Sequence, residues 1–205
     1  SQQLNFFINQ YQSGNGVQIS SLELELLQET CFIEPCLKPM EVSISKLDEH
    51  VKTAFGSSWK EVLCEKRLQK GRIDPGNPAV IVISSSALRA LELLRDLRSL
   101  TKDCHAAKLF SKHMKIEEQK STLKNRVNIA CGTPSRIKKL IDMELLGLSR
   151  LTLIVIDMNI DIKGYSLFTL KQISEDFWDL YRSYFHQLLL DGKLRFSLYG
   201  PLPLN

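Results

Sequence analysis

Gly132–Arg136 (GTPSR) brings together residue types that suit an anion site. Thr133 stands where a helix N-cap belongs, and Pro134 suits the first helical position. A helix that starts this way presents free backbone N–H groups and the positive end of its dipole. Arg136, followed by Lys138 and Lys139, adds charge beside it. A well-capped helix with no ligand has the same spelling, so both readings stand. Ser84, Ser85 and Ser86 offer three hydroxyls ahead of a leucine-rich stretch. They can cap a helix, donate to phosphate oxygens, or do both. Asp157 closes an apolar run, where a carboxylate can hold a divalent cation or be satisfied by local backbone; the second reading is preferred. Cys104, His105 and His113 are metal-ligand types, but without a second cysteine pair they read as ordinary surface residues.

Net charge is +4. It is unevenly placed: Lys102–Lys139 holds ten Lys and Arg against three acids, while the remainder has 17 bases and 20 acids. A local basic field of this kind is the footprint of a polyanion partner or a solvated helix face. Lys108, Lys112 and Lys115 are spaced to share one face of a helix, which would extend a positive track.

The elements that must position these groups follow from periodicity. Ala79–Ile83 (AVIVI) is short, apolar and β-branched, as expected of a strand covered on both faces. The spacing predicts a helix over Ala87–Arg98 with Leu88, Leu91, Leu94 and Leu97 toward the core. It predicts a basic helix around Ala106–Lys120, a strand over Arg126–Cys131 and a helix over Ile137–Glu144. A strand over Leu151–Ile156, a helix over Ser174–Leu190 and a strand over Lys193–Leu198 complete the series. Strands alternating with helices make a doubly wound, mostly parallel α/β sheet. Before it, Ser45–Phe55 and Ser57–Leu68 read as helices. Gly71–Pro78 (GRIDPGNP) is a break. The expected organisation is a helical N-terminal extension, 1–75, and an α/β domain, 76–205.

The chain has 205 residues, 43% of them hydrophobic, enough to bury roughly 70% of the unfolded surface without staples. Five cysteines at irregular spacing, with no C-x-x-C, fit reduced thiols of the cytosol or nucleus. No run reaches the ~20 apolar residues of a membrane span, and no signal peptide is expected. The start at Ser1 without Met is expected of a fragment.

The order of these segments resembles the N-terminal RecA-like lobe of DEAD-box RNA helicases over about residues 79–205. Ile83–Leu88 (ISSSAL) is similar to motif Ia, P-T-R-E-L, and GTPSR is close to motif Ib, G-T-P-G-R. Leu153–Ile160 (LIVIDMNI) stands where that family has its D-E-A-D strand, and Arg195–Pro201 (RFSLYGP) resembles motif III, F-S-A-T-x-P. The departures fall on the ATP side. No G-x-x-x-x-G-K-[ST] occurs; Phe55–Lys60 (FGSSWK) and the Gly71/Gly76 pair do not supply it. Met158 replaces the glutamate that would activate water, and Ser86 replaces the motif Ia arginine. With the sequence closing soon after Pro201, no second lobe is expected to bring an arginine finger.

The resemblance therefore implies a RecA-like lobe without ATP chemistry, catalytic residue, cofactor or metal, whose motif Ia and Ib loops contact an RNA backbone. The RNA-binding candidates are Ser84, Ser85, Ser86, Gly132, Thr133, Arg136 and Lys138. A helicase-like lobe with helical N-terminal material and no ATP site also resembles the Cms-type proteins, nucleolar factors of early small-subunit pre-ribosomes. The implied partners are pre-ribosomal RNA and ribosome-assembly proteins in the nucleolus, with no membrane. The alternative is a protein-interaction scaffold without RNA binding, with Phe177–Phe185 (FWDLYRSYF) as a source of aromatic anchors. Phe177, Leu180, Tyr181 and Tyr184 equally have the spacing of helix packing.

Overall fold

A computed structural model describes residues 2–15, 19–33, 46–63, 74–102 and 106–202. Five strands form one sheet: β1 (Val80–Ile83), β2 (Ala107–Leu109), β3 (Ile129–Gly132), β4 (Leu153–Asp157) and β5 (Arg195–Tyr199). Their order is β2-β3-β1-β4-β5, and all four pairings are parallel. The expected α/β, RecA-like doubly wound sheet with helical N-terminal material is present. β1 lies at the centre, with Val80 opposite Ile129 on one side and Leu153 on the other. Every residue of β1 is buried, which explains the unbroken run of valine and isoleucine: neither side of this strand meets water. Phe32 adds an isolated parallel bridge to Phe196, and the Ile33 N–H donates to the Phe196 carbonyl at 2.8 Å. The N-terminal part of the chain thus reaches the sheet beyond β5.

Alternation along the strands sends side chains into two cores. Ile81, Ile83, Ile154, Ile156 and Phe196 face one side. There they meet α1 (Gln2–Asn15), α7 (Pro134–Asp142) and α8 (Lys171–Leu180). Val80, Val82, Ile129, Leu153 and Val155 face the other. That side is covered by α3 (Leu47–Phe55), α4 (Trp59–Leu63) and α5 (Ala87–Asp96). The helices before residue 75 therefore share both cores with the sheet. Phe7 of α1 is 1% exposed and sits among Phe32, Trp178, Tyr181 and Phe196, with ring centroids 5.2–5.4 Å away. The small α2 (Ser21–Leu26) is held at its start by a full capping box between Ser20 and Glu23.

Several sequence expectations are corrected. Residues 106–120 are not one basic helix. Ala107–Leu109 is the edge strand β2, with Ala107 and Leu109 buried and Lys108 exposed, and α6 begins only at Ile116 (Ile116–Leu123). Pairing with β3 overrides helical propensity in a segment three residues long. Lys108, Lys112 and Lys115 then fall on a strand, a turn and a helix N-cap, and no common helical face joins them. Of the leucines expected toward the core, Leu97, just past α5, is buried and Leu91 and Leu94 pack half-buried against the core, whereas Leu88 is 62% exposed; the most deeply buried positions of α5 are Ala90 and Leu93. The helix after β4 starts at Lys171 and passes through a π-helical turn, Tyr181–Phe185, before α9 (His186–Leu190). In FWDLYRSYF, Phe177, Trp178, Leu180, Tyr181 and Phe185 are buried, so packing takes the aromatics that a docking role would need. Ser45, the helix continuation beyond Leu63, Gly71–Ile73 of the break, and Cys36, Cys64, Cys104 and His105 lie outside the described residues. Cys31 and Cys131 are free and buried. No helix among the described residues is long and apolar enough to cross a membrane.

Because Phe7 joins α1 to the sheet, Phe7→Ala is expected to lower global unfolding free energy by about 3–5 kcal/mol. Chemical denaturation followed by tryptophan fluorescence and by far-ultraviolet circular dichroism will show one shifted transition. Two separated transitions, with the sheet unaffected, would mean that α1 is an independent appendage.

Candidate functional site

The carboxyl ends of β1, β3 and β4 lie side by side, the usual ligand position in an open parallel sheet. The loops after β1 and β3 are tied together there: the Ser84 N–H donates to the Gly132 carbonyl at 2.9 Å. Ser84 is fully buried, and its hydroxyl lies 3.1 Å from the Ser86 carbonyl and 3.3 Å from that of Gly132. It shapes the loop and does not face a ligand. Ser86 is exposed and caps α5, its hydroxyl accepting from the Arg89 N–H at 3.2 Å; Ser85 is half-buried. Gly132 is required by close approach, since a Cβ there would stand 1.9 Å from the Leu109 carbonyl oxygen of β2.

Thr133 is the N-cap of α7 and Pro134 follows at the first position, as the spelling predicts. The Thr133 N–H donates to the Leu109 carbonyl at 3.0 Å, but its side chain makes no capping bond. The N–H groups of Ser135 and Arg136, in the first turn, have no acceptor within the helix. Arg136 is half-buried and donates to Gln119 Oε1 at 2.8 Å. Gln119 is 1% exposed, and its Nε2 donates at 2.9 Å to the carbonyls of both Lys108 and Phe110. One glutamine thus covers the outward acceptors of the edge strand and holds Arg136 beside the start of α7. Lys138 is elsewhere: it pairs with Asp142 at 3.0 Å and Asp179 at 3.6 Å, in the seam between α7 and α8. Of the seven candidates, the fold gathers Ser84–Ser86 and Gly132–Arg136 at one place and turns Lys138 away.

Asp157, at the end of β4, is 1% exposed. Its partner is a side chain and not local backbone alone: Arg89 Nε reaches Oδ2 at 2.9 Å and Nη2 reaches Oδ1 at 3.0 Å, a two-pronged pair. The pull on the two groups is unequal. The hydrogen bond to Asp157 holds the guanidinium more firmly protonated than usual. Burial, which outweighs the guanidinium, raises the Asp157 carboxyl above its ordinary value. Beside it, Met158 is 2% exposed. No local pattern linked Arg89 to Asp157, because the two stand 68 residues apart.

A second polar group reaches the middle of β5. His50 of α3 lies with Nε2 2.8 Å from the Ser197 hydroxyl, which also lies 3.0 Å from the Ile33 carbonyl. A hydroxyl that donates to Ile33 must accept from His50, which places the imidazole proton on Nε2. His50 is 3% exposed, and burial lowers its pKa to about 4. Sequence reasoning missed His50 and Gln119, whose partners come from other elements.

The fold and these loops define a RecA-like, doubly wound parallel α/β lobe, with a Thr–Pro helix start after β3 and the β4 aspartate closed by an internal arginine. The chain belongs to the CMS1 family, described as "U3-containing 90S pre-ribosomal complex subunit", whose model matches residues 1–187. It is 36% identical over 145 residues to Protein CMSS1 of Xenopus laevis, covering 68% of this chain and 47% of that one. Over 106 residues it is 39% identical to Protein CMSS1 of Homo sapiens, covering 50% and 38% respectively. The chain spans less than half the length of these curated relatives. Among solved structures it is similar to a yeast DEAD-box splicing factor, with TM-score 0.47 and 14% identity over 72% of this chain and 34% of that one. A DEAD box protein from the hyperthermophile Methanococcus jannaschii gives TM-score 0.47 and 17% identity, covering 92% and 50%.

Two outcomes are expected at this site. Arg89→Met leaves a buried, unpaired carboxylate and will destabilise the protein by about 3–5 kcal/mol at neutral pH. The loss will shrink on acidification, as Asp157 takes up a proton, and Arg89→Met/Asp157→Leu will recover most of it; urea titrations of the three variants at two pH values check both. For His50, folding favours the neutral form, so its contribution is complete above the ordinary value of 6.5 and is lost as pH falls toward about 4. The full effect is on the order of 3 kcal/mol. Melting temperature will drop between pH 7 and pH 4.5, and His50→Gln will flatten that slope.

Proposed function

We propose that this chain is a non-catalytic factor of small-subunit ribosome biogenesis, nuclear and nucleolar, that holds pre-ribosomal RNA by its sugar–phosphate backbone alongside assembly proteins. The family description supports the setting. The observation that carries the RNA reading is the start of α7, at the carboxyl end of β3, where Thr133 makes no side-chain capping bond and leaves the first-turn amides without an acceptor in the helix. Ser85 and Ser86 stand on the neighbouring loop, and Arg136 is held beside the amides by Gln119. Amides and hydroxyls of this kind position a phosphate without reading a base. Ser84, Gly132 and Lys138 take no direct part: the first two form the loops, and Lys138 stabilises the α7–α8 seam.

The absence of ATP chemistry rests on the β4 end. Magnesium-assisted phosphoryl transfer needs a free carboxylate, an activated water and charge stabilisation together. Here Asp157 carries Arg89 as its counter-ion, and Met158 follows where the resemblance has glutamate. The lobe then works as a fixed clamp on RNA.

Fluorescence anisotropy of a labelled oligouridine, titrated with the protein at several salt concentrations, tests this reading. Binding is expected to weaken with salt by a slope of about −0.7 per phosphate engaged. Thr133→Ala/Arg136→Ala, verified by an unchanged melting curve, will weaken it at least tenfold. Undetectable or salt-insensitive binding, or equal binding by parent and variant, would leave protein scaffolding as the function.

A further inference from the structure

A groove of about 590 Å³ runs between α5, the edge strand β2 and α6, on a different part of the surface from the strand-end loops. Leu91, Leu94, Ala106 and Met114 form its floor. Arg95, Arg98 and Lys108 stand at its rim, all exposed, and no acidic side chain among the described residues lines it. Leu91, Leu94, Arg95 and Arg98 have the i, i+3, i+4, i+7 spacing of one helix face, so floor and rim on that side are one surface. None of the three rim cations is paired with a carboxylate among the described residues, whereas Arg89, six residues before Arg95 on α5, is paired twice. Among the described residues, these three like charges around half-buried aliphatic side chains have no carboxylate partner.

We propose that this groove docks an acidic amphipathic segment of a partner protein, its aliphatic side chains on the Leu91–Leu94–Met114 floor and its carboxylates on Arg95, Arg98 and Lys108. The charge complement requires an anionic occupant, and the floor requires an aliphatic one. The occupant does not add as a further strand, because Gln119 already holds the outward carbonyls of Lys108 and Phe110. Single-stranded RNA fits less well: no aromatic ring among the described residues lines the groove to receive a base. Arginine at the rim of an apolar pocket is a frequent energetic centre of protein interfaces. The groove uses the second half of α5 and the start of β2, the ends of both elements remote from Ser86 and Gly132. Protein docking here and RNA contact at the loops are therefore separable.

The test is anisotropy of a fluorescein-labelled amphipathic peptide of leucine and glutamate, titrated with the protein, beside the same peptide with glutamine for glutamate and a labelled oligouridine. Arg95→Glu/Arg98→Glu disturbs only the rim, and Met114→Asp disturbs only the floor; both positions tolerate change because none is fully buried. The expected result is binding of the acidic peptide at least tenfold tighter than its glutamine counterpart. Either variant will weaken it at least tenfold, with oligouridine binding little changed by Met114→Asp. Failure of the acidic peptide to bind, or indifference of its binding to both variants, overturns the proposal. Selective loss of oligouridine binding in Arg95→Glu/Arg98→Glu, with no peptide bound, overturns it in favour of an RNA track. Thr133→Ala/Arg136→Ala serves as the control that keeps this outcome distinct from that of the strand-end loops.

Discussion

β1 has no side that faces water. Four consecutive β-branched residues at the centre of a parallel sheet expose apolar surface above and below, and both surfaces must be covered. The βα units that follow supply α7 and α8 to one side and α5 to the other. They do not close the layers alone. α1 fills the first side through Phe7 and Tyr11, and α3 and α4 fill the second through Leu47, Val51 and Leu63. The N-terminal helices are consequently part of the same packing problem as the sheet, and the aromatic ring cluster around Phe7 is where the two halves of the sequence meet.

That constraint also fixes the site. With both sides occupied by helices, free backbone groups can gather only at the strand ends. There the molecule treats two neighbouring positions in opposite ways. At β4 the carboxylate is buried and answered by Arg89, so its charge is balanced inside the protein. At β3 the chain leaves through Gly132 into a helix whose first turn has no side-chain cap. A closed carboxylate and a helix start without a side-chain cap thus stand side by side at the strand ends.

Gln119 has a similar double effect at the sheet edge. Its amide blocks the two outward carbonyls of β2 and orients Arg136. Covering an edge strand prevents unwanted pairing, and here the same contact leaves the neighbouring groove accessible to side chains but closed to an added strand.

The division between what was legible in the sequence and what was not follows the distance over which each feature is decided. The strands β1, β3, β4 and β5, the cap at Ser86, and the Thr133–Pro134 helix start are written locally, in β-branched runs and capping residues, and they were readable from the sequence alone. The tertiary structure decided the rest. Ala107–Leu109 became a strand only because β3 lies beside it; the stretch is too short and too basic to declare itself. The leucine spacing gave the right helix, but its deepest contact with the core is made by Ala90 and Leu93, and Leu88 is left exposed. Arg89 found Asp157 across 68 residues, and His50 found Ser197 across 147. Lys138 followed its helix toward Asp142 and Asp179 and away from the loops. Periodicity and capping are short-range and survive in a single sequence, whereas the partner of a buried charge is chosen by which strand ends the packed core brings together.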